Sequence, residues 1–202
     1  HNVKEIVNKE SIEIEINVFE GQKIIVEKIV ILGNTVTNET VIRSSFLLDE
    51  GDPFSKLKVD KSVSELKSKG IFASVKSNIK NGTMPNSKII EISVEEMPTG
   101  EISAGAGVGT NGGSFAFNIR ENNWLGRGLT VSANADVSAE SVRGSLEFVD
   151  PNYNFTGKQL SYNFENIKND KSDSGYENSV LGAGFNLSYE RFKDIFFSPG
   201  IS

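Results

Sequence analysis

The sequence lacks cysteine altogether, and its only histidine is the first of its 202 residues. Disulfide bridges and thiolate metal sites are therefore excluded, and a metal site or catalytic triad built on histidine is excluded in practice. No pair of carboxylates and no serine–lysine pair forms a catalytic constellation. We expect no enzymatic activity, no metal and no cofactor.

Long apolar runs are also missing, because no stretch approaches the roughly 18 residues that predict a membrane-spanning helix. The net charge is −6 and both signs are interspersed along the chain. This distribution disfavours a nucleic-acid partner, which would need a basic patch. Proline is scarce at 5 residues while glycine reaches 19, and such a chain with little helical pattern favours β structure with many turns.

The composition changes near Pro98, which predicts a domain boundary at residues 97–100. Lysine, glutamate, isoleucine and valine dominate before it, and glycine, serine, asparagine, alanine and phenylalanine dominate after it. Ahead of the boundary, alternation over residues 12–19 predicts a strand with no partner in front of it. We expect this strand to be the end of an earlier domain that occupies residues 1–20.

Residues 21–97 predict a small α+β unit of the order β-α-α-β-β. A strand over Lys23 to Leu32 precedes a helix that Thr37 or Asn38 caps; its apolar positions are Val41, Ile42 and Phe46, with Leu47 as a further candidate. A second helix is predicted from Ser55 to Lys69, and its apolar stripe consists of Leu57, Val59, Val63 and Leu66. Two strands, Phe72 to Ile79 and Lys88 to Val94, complete the unit.

Residues 98–202 alternate apolar and polar side chains, which predicts antiparallel strands of about the length that crosses a bilayer. We place six strands, over residues 102–108, 115–119, 129–137, 142–148, 160–164 and 181–189. Aromatic residues mark several strand ends, as the interface girdle of a membrane barrel requires; they are Trp124, Tyr153, Phe155 and Phe192. The polar stretch from Asn166 to Asn178 predicts a long solvent-exposed loop. A soluble β-sandwich would also alternate, but the small, neutral polar face favours a truncated transmembrane β-barrel.

Two motifs suggest ligands and are better explained without them. The glycine-rich run from Gly105 to Gly109 could bind a nucleotide only between a strand and a helix, and here strands are predicted on both sides. The acidic residues Asp170, Asp173 and Glu177 lack the spacing of a calcium loop.

The chain resembles a family of outer-membrane assembly factors that join POTRA (polypeptide-transport-associated) domains to a β-barrel. The POTRA marks lie between Gly21 and Val94, as the run Val30–Asn34 (VILGN) and the run Leu66–Val75 (LKSKGIFASV). The start of the family's barrel is matched by Gly105–Thr110 (GAGVGT), Asn122–Gly128 (NNWLGRG) and Asp150–Tyr153 (DPNY). The asparagine–tryptophan–leucine–glycine run is the most specific of these matches, and together they cover nearly the whole chain.

The resemblance implies that residues 21–97 are the last POTRA domain, that residues 1–20 end the preceding one, and that residues 98–202 are the first barrel strands. It implies a protein of the bacterial outer membrane, with the POTRA domain in the periplasm, that inserts β-barrel proteins into that membrane. Its partners would be unfolded outer-membrane proteins, accessory lipoproteins and the lipid bilayer. Arg43 and Glu50 are expected to face a lipoprotein partner.

In this family the first barrel strand is one side of a lateral gate. The resemblance therefore assigns substrate pairing to Glu101, Ile102, Ser103, Ala104, Gly105, Ala106, Gly107, Val108 and Gly109. An unpaired strand edge templates another strand in any setting, and in lipid its backbone groups require a partner. Three alternatives remain open: a two-partner secretion transporter, which the tryptophan–leucine–glycine turn disfavours, an organelle import pore, and a soluble β-rich adhesin.

Overall fold

The structure is a computed structural model that describes residues 2–8, 11–17, 21–109, 112–171 and 175–202. The elements of the first half are β1 (Asn2–Asn8), β2 (Ser11–Asn17), β3 (Ile25–Leu32), α1 (Glu39–Arg43), α2 (Lys56–Ser68), β4 (Phe72–Asn81) and β5 (Ser87–Glu96). Those of the second half are β6 (Gly100–Gly109), β7 (Gly112–Trp124), β8 (Leu129–Ser138), β9 (Ser141–Tyr153), β10 (Lys158–Lys171), β11 (Tyr176–Phe192), β12 (Ile195–Phe197) and β13 (Gly200–Ile201).

The strand predicted over residues 12–19 does have a partner in front of it, so that expectation was wrong. Strand β1 pairs antiparallel with β2, from Asn2 opposite Asn17 to Asn8 opposite Ser11. The sequence of β1 hides this pairing because Lys4 and Glu5 interrupt its alternation, whereas the ladder is held by backbone groups. Val18 and Phe19 lie outside the described residues.

The α+β unit has the predicted element order and forms a three-stranded sheet, β3-β5-β4, with β5 in the middle. Strand β3 is parallel to β5 and β4 is antiparallel to it. The helices pack on the sheet around one hydrophobic core, which consists of Val26, Ile29, Val41, Ile42, Leu48, Val59, Leu66, Ile71, Phe72, Val75, Ile90, Ile92 and Val94. Every member of this core lies in the α+β unit, which therefore has a core of its own.

Both helices form where the sequence placed them, but their details differ. Ser55 caps α2 and accepts a hydrogen bond from the N–H of Lys58, as its side chain predicts. Leu57 was expected in the buried stripe, yet it is 65% exposed, because it lies on the opposite side of the helix from Val59, which is fully buried. Helix α1 ends at Arg43, so Phe46 and Leu47 lie outside it, after the turn at residues 44–45.

The second half is one antiparallel sheet of the order β12-β11-β10-β9-β8-β7-β6, with β13 also paired to β11. The six predicted strands are confirmed, and the sheet is not closed in this chain. The predicted loop from Asn166 to Asn178 was wrong, because β10 and β11 stay paired from Asn166 opposite Leu181 to Lys171 opposite Tyr176. Backbone pairing continues there although the side chains become polar. Asp173 lies outside the described residues, as does Thr110.

The sheet has one apolar and one polar face, because directly opposed residues point to the same side. One apolar row runs across the strands as Ile102, Ile119, Ala133, Leu146, Phe164 and Ala183. The adjacent row on the other face is Ser103, Asn118, Asn134, Ser145, Glu165 and Gly182. Large apolar residues such as Leu146 and Phe164 are exposed to the surroundings. Within the described ranges, no helix has the length and apolarity needed to cross a membrane.

Candidate functional site

The strand assigned to substrate pairing, β6, lies at one end of the sheet. Among the described residues it pairs only with β7, and the register runs without a shift from Gly100 opposite Glu121 to Gly109 opposite Gly112. All of its residues are exposed. Strand β8, by comparison, has a ladder on both sides, with β7 and with β9. The other edge of β6 therefore presents unpaired backbone groups, which can template a further strand.

The glycines of β6 are not required by its backbone conformation. None of Gly105, Gly107 and Gly109 is among the residues with a left-handed φ. A Cβ atom at Gly105 or Gly109 would meet no other atom within 4 Å. A tight bend thus does not explain these glycines, which instead leave a regular ladder with little side-chain packing.

Arg43 and Glu50 lie together, at the end of α1 and in the loop that follows it. The Arg43 Nη1 atom is 3.7 Å from Glu50 Oε1, and its Nε atom is 2.6 Å from Glu39 Oε1. Both residues also bind the backbone of β3: Glu50 Oε1 accepts the N–H of Ile29 at 3.0 Å, and Arg43 Nη2 donates to the Ile29 carbonyl at 3.1 Å. The two side chains are about half exposed, so they are available to a partner while they cover the edge of β3.

The outer edge of β3 is also covered closer to its start. The N–H of Val26 donates to the carbonyl of Asp52 at 2.9 Å, and the N–H of Gly51 donates to the carbonyl of Val26 at 2.7 Å. Strand β4, at the other end of the small sheet, pairs only with β5 among the described residues. The open edge of the α+β unit is therefore β4 rather than β3.

A turn between β7 and β8 joins the two halves of the molecule. The Asn123 side chain is buried; its Nδ2 atom donates to Thr37 Oγ1 at 2.9 Å and its Oδ1 atom accepts the N–H of Gly128 at 2.8 Å. The N–H of Asn38 donates to the carbonyl of Gly126 at 2.8 Å. These bonds fix the loop before α1 directly against the turn between β7 and β8.

The turn between β9 and β10 repeats this geometry without the contact to Thr37. Asn152 Oδ1 accepts the N–H of Gly157 at 2.8 Å, as Asn123 accepts that of Gly128. Phe155 occupies the place of Gly126, and both have a left-handed φ, +56° and +69°. The conformation therefore tolerates a large side chain, and glycine is needed at 126 because a Cβ atom there would overlap the carbonyl oxygen of Val36.

A carboxylate supports the α+β side of this junction. Glu96, the last residue of β5, accepts the N–H groups of Thr35 and Val36 at 2.9 Å each and that of Thr37 at 2.6 Å. Partial burial raises the pKa of Glu96, but the hydrogen bonds from Thr35, Thr37 and Val36 outweigh it and lower the pKa to about 2. The loop that contacts Asn123 is thus held in place by an ionised carboxylate.

Comparison with known proteins accounts for this arrangement of domains. Residues 24–97 match the POTRA family, described as a surface antigen variable number repeat, and residues 123–198 match the Omp85 superfamily domain. The chain is 26% identical over 196 residues to the outer membrane protein assembly factor BamA of Neisseria meningitidis, covering 93% of this chain. The chain is a fragment of a BamA-type protein.

Other relatives agree with this assignment. A putative outer membrane protein assembly factor of Treponema pallidum is 29% identical over 201 residues, which cover 96% of this chain. The crystal structure of BamA from Haemophilus ducreyi lacking POTRA domains 1–3 matches 98% of this chain and 39% of that one, with a TM-score of 0.76 and 24% identity. CdiB from Escherichia coli matches with a TM-score of 0.58 and 11% identity. These two structures show the shared fold.

The chain spans about a quarter of the length of the curated relatives it matches, 25% of the Neisseria protein and 24% of the Treponema protein. It belongs to the bacterial outer membrane, and its POTRA domain lies in the periplasm. The turn between β7 and β8 contacts this domain, so the turns after β7 and β9 lie at the periplasmic end.

Sequence reasoning matched the Asn122–Gly128 run to BamA-type barrels but missed what its residues touch. Asn123 and Gly126 are close to the POTRA domain, and Thr37 and Glu96 complete the contact. The only hint in the sequence was that so specific a run lies in a turn. A turn does not span the membrane, so a specific motif there indicates another role, such as contact with the POTRA domain. Thr37 and Glu96, which contact or support this turn from the POTRA domain, belong to no comparable motif.

Proposed function

We propose that the parent protein assembles β-barrel proteins into the bacterial outer membrane, and that an incoming strand pairs with the edge of β6. The observation that carries the proposal is the position of β6 at the end of the sheet with a regular, fully exposed ladder. Its backbone groups require partners in lipid, while its glycines and alanines add little side-chain packing. Such a strand can exchange one partner for another.

The physical contrast between β6 and β8 supports this role. Burying a large aliphatic side chain is worth roughly 1.5–3 kcal/mol, and β8 contributes Leu129, Val131 and Val137 to its neighbours. Strand β6 has Gly105 and Gly107 on one face and Ala104 and Ala106 on the other. Hydrogen bonding alone holds most of β6, so folding and burial of the substrate in the bilayer can drive exchange without a nucleotide.

A cysteine crosslinking experiment tests the proposal. In the full-length protein, Ser103→Cys should crosslink to a cysteine in the C-terminal strand of a stalled substrate barrel. Asn134→Cys is the matched control, because Ser103, Asn118 and Asn134 occupy one row across β6, β7 and β8 on the polar face. Crosslinks at residue 134 and never at residue 103 would show that the substrate enters elsewhere.

We further propose that Arg43 and Glu50 face an accessory lipoprotein. Their half-exposed ion pair lies on the covered edge of β3, where a partner meets charged side chains instead of an open ladder. A partner with an acidic group facing Arg43 and a basic group facing Glu50 would replace the solvent around this pair.

The test of this docking surface must spare the hydrogen bond to Ile29. Glu50→Gln keeps an acceptor for the Ile29 N–H but removes the charge, whereas Glu50→Lys removes both. If the charge docks the partner, both variants should lose co-purified lipoprotein. Normal co-purification with Glu50→Gln would contradict the proposal and leave Glu50 as a support of β3.

The division of the chain is part of the proposal. Residues 21–97 would be the last POTRA domain, residues 98–202 the first barrel strands, and residues 1–20 the end of the preceding POTRA domain. The hydrophobic core between Val26 and Val94 supports the first of these assignments, and the β1–β2 hairpin is compatible with the last.

A two-partner secretion transporter is the alternative of the same architecture, and fold alone does not separate the two. The relatives named as assembly factors favour assembly. A soluble adhesin no longer fits, because the chain belongs to the outer membrane. If depletion of the protein stopped the secretion of a single partner and left the barrels of the outer membrane intact, the transporter would be the correct choice.

A further inference from the structure

A cleft lies where the POTRA domain meets the first two periplasmic turns. It has a volume of about 450 Å³, within the range of small-molecule sites. Helix α1 and the residues next to it form one wall, and residues of the β7–β8 and β9–β10 turns form the other. Lys69, Arg127, Asp150, Tyr153 and Phe155 are among its lining residues.

The cleft adjoins the apolar face of the sheet. Leu160 is opposite Asp150, and the next row on the same face contains Val131, Phe148, Tyr162 and Phe185. The aromatic rings of Tyr162 and Phe185 are 5.5 Å apart in that row. Since a strand rises about 3.3 Å per residue, the row lies roughly 7 Å above Asp150. The cleft therefore sits at the periplasmic margin of the lipid-facing surface.

The charge of the cleft is positive. Arg127 and Lys69 line it, and neither forms an ion pair with any described residue. Asp150 is the one acidic lining residue, and its Oδ1 atom already accepts the N–H of Asn152 at 3.0 Å. Exposed Tyr153 and Phe155 flank these charges, as amphipathic rings do at the level of lipid headgroups.

We propose that this cleft binds the headgroup of an anionic phospholipid of the periplasmic leaflet. Arg127 and Lys69 bind the phosphate, with Arg127 suited to bidentate contact with its oxygens, and the acyl chains follow the apolar rows above Leu160. A lipid fits better than an acidic peptide because the cleft joins positive charge to an apolar surface that is in the bilayer. The bound lipid would hold the POTRA domain close to the membrane.

The test uses full-length protein in nanodiscs of phosphatidylcholine that contain a minor fraction of photoreactive phosphatidylglycerol. The wild type should crosslink this lipid at residues 38–44 and 150–155, as mass spectrometry of the peptides would show. The double variant R127Q/K69Q should lose about fivefold in crosslinking for each cation removed. The control K61Q/K67Q removes two charges from α2 outside the cleft and should leave crosslinking unchanged.

Heat-modifiable gel mobility confirms that each variant holds a folded barrel before it is compared. An equal loss in both double variants would overturn the proposal, because bulk charge would then explain the effect. Equal crosslinking of photoreactive phosphatidylcholine would overturn it too. None of these results depends on assembly activity, so the lipid site and the proposed function fail or hold separately.

Discussion

The two halves of the chain bury their apolar side chains against different partners. In the POTRA domain, the helices and sheet enclose residues such as Ile42 and Leu66, which are fully buried. In the barrel sheet, only Leu129 and Leu160 are buried among the described apolar residues, and Leu146 is 56% exposed. One half makes its own core, whereas the other presents an apolar surface that lipid must cover.

The comparison also shows where the two halves meet. The buried Leu129 follows Gly128, where a Cβ atom would lie 3.0 Å from Val41 Cγ1. Asn123 and Thr37 are buried at the same junction. The barrel sheet is therefore most deeply buried by other protein residues where it meets the POTRA domain.

The largest effect should come from the POTRA core. Leu66→Ala removes a fully buried side chain and should lower the free energy of unfolding of residues 21–97 by about 2–5 kcal/mol. Leu57→Ala, on the same helix but exposed, should change it by about 0.5 kcal/mol or less. Urea unfolding of the isolated domain measures both. Similar losses in the two variants would mean that α2 does not pack on the sheet by the face described.

A charged side chain should destabilise the barrel sheet more on its apolar face than on its polar face. Leu146→Arg places a cation on the lipid side near the middle of β9 and should destabilise the folded barrel by about 2–4 kcal/mol. Ser145→Arg, one residue earlier, points to the polar face and should cost much less. Equilibrium unfolding of the full-length protein in lipid vesicles compares them. A reversed order would assign the apolar face to the barrel interior.

Much of this contrast was predictable because each half repeats its own pattern. Alternation predicted both faces of the barrel sheet, and Ser55 predicted the start of α2. The pairing of β10 and β11 beyond Asn166 could not be predicted, because polar side chains carry no hydrophobic period while backbone pairing continues. Alternation also could not predict the hydrogen bonds of Arg43 and Glu50 to the backbone of Ile29, because such contacts depend on how distant segments of the chain meet.

The POTRA–barrel junction can be separated from turn stability by using the two similar turns. Asn123→Ala leaves the Thr37 hydroxyl and the Gly128 N–H without their partner, whereas Asn152→Ala affects only the equivalent turn bond to Gly157. A buried group that loses its hydrogen bond costs about 1–3 kcal/mol. Protease cleavage at residues 97–100 of the full-length protein should therefore speed up more for Asn123→Ala. Equal rates would show that the bond to Thr37 does not hold the POTRA domain in place.

The smallest effect should be on the pH dependence of unfolding in acid, and it tests the POTRA side of the junction alone. The pKa of Glu96 is about 2 in the folded domain, below its ordinary value of 4.5. A carboxylate with a lowered folded pKa stabilises the fold above its unfolded pKa, and this contribution is lost as the pH falls from about 4.5 towards 2. Glu96→Gln should flatten the pH dependence of unfolding of residues 21–97 within that window. Glu65→Gln is the control variant, because the Glu65 carboxylate accepts no hydrogen bond from a described residue. An unchanged curve for Glu96→Gln would mean that Thr35, Val36 and Thr37 keep their conformation without the carboxylate, and that Glu96 does not stabilise the loop facing Asn123.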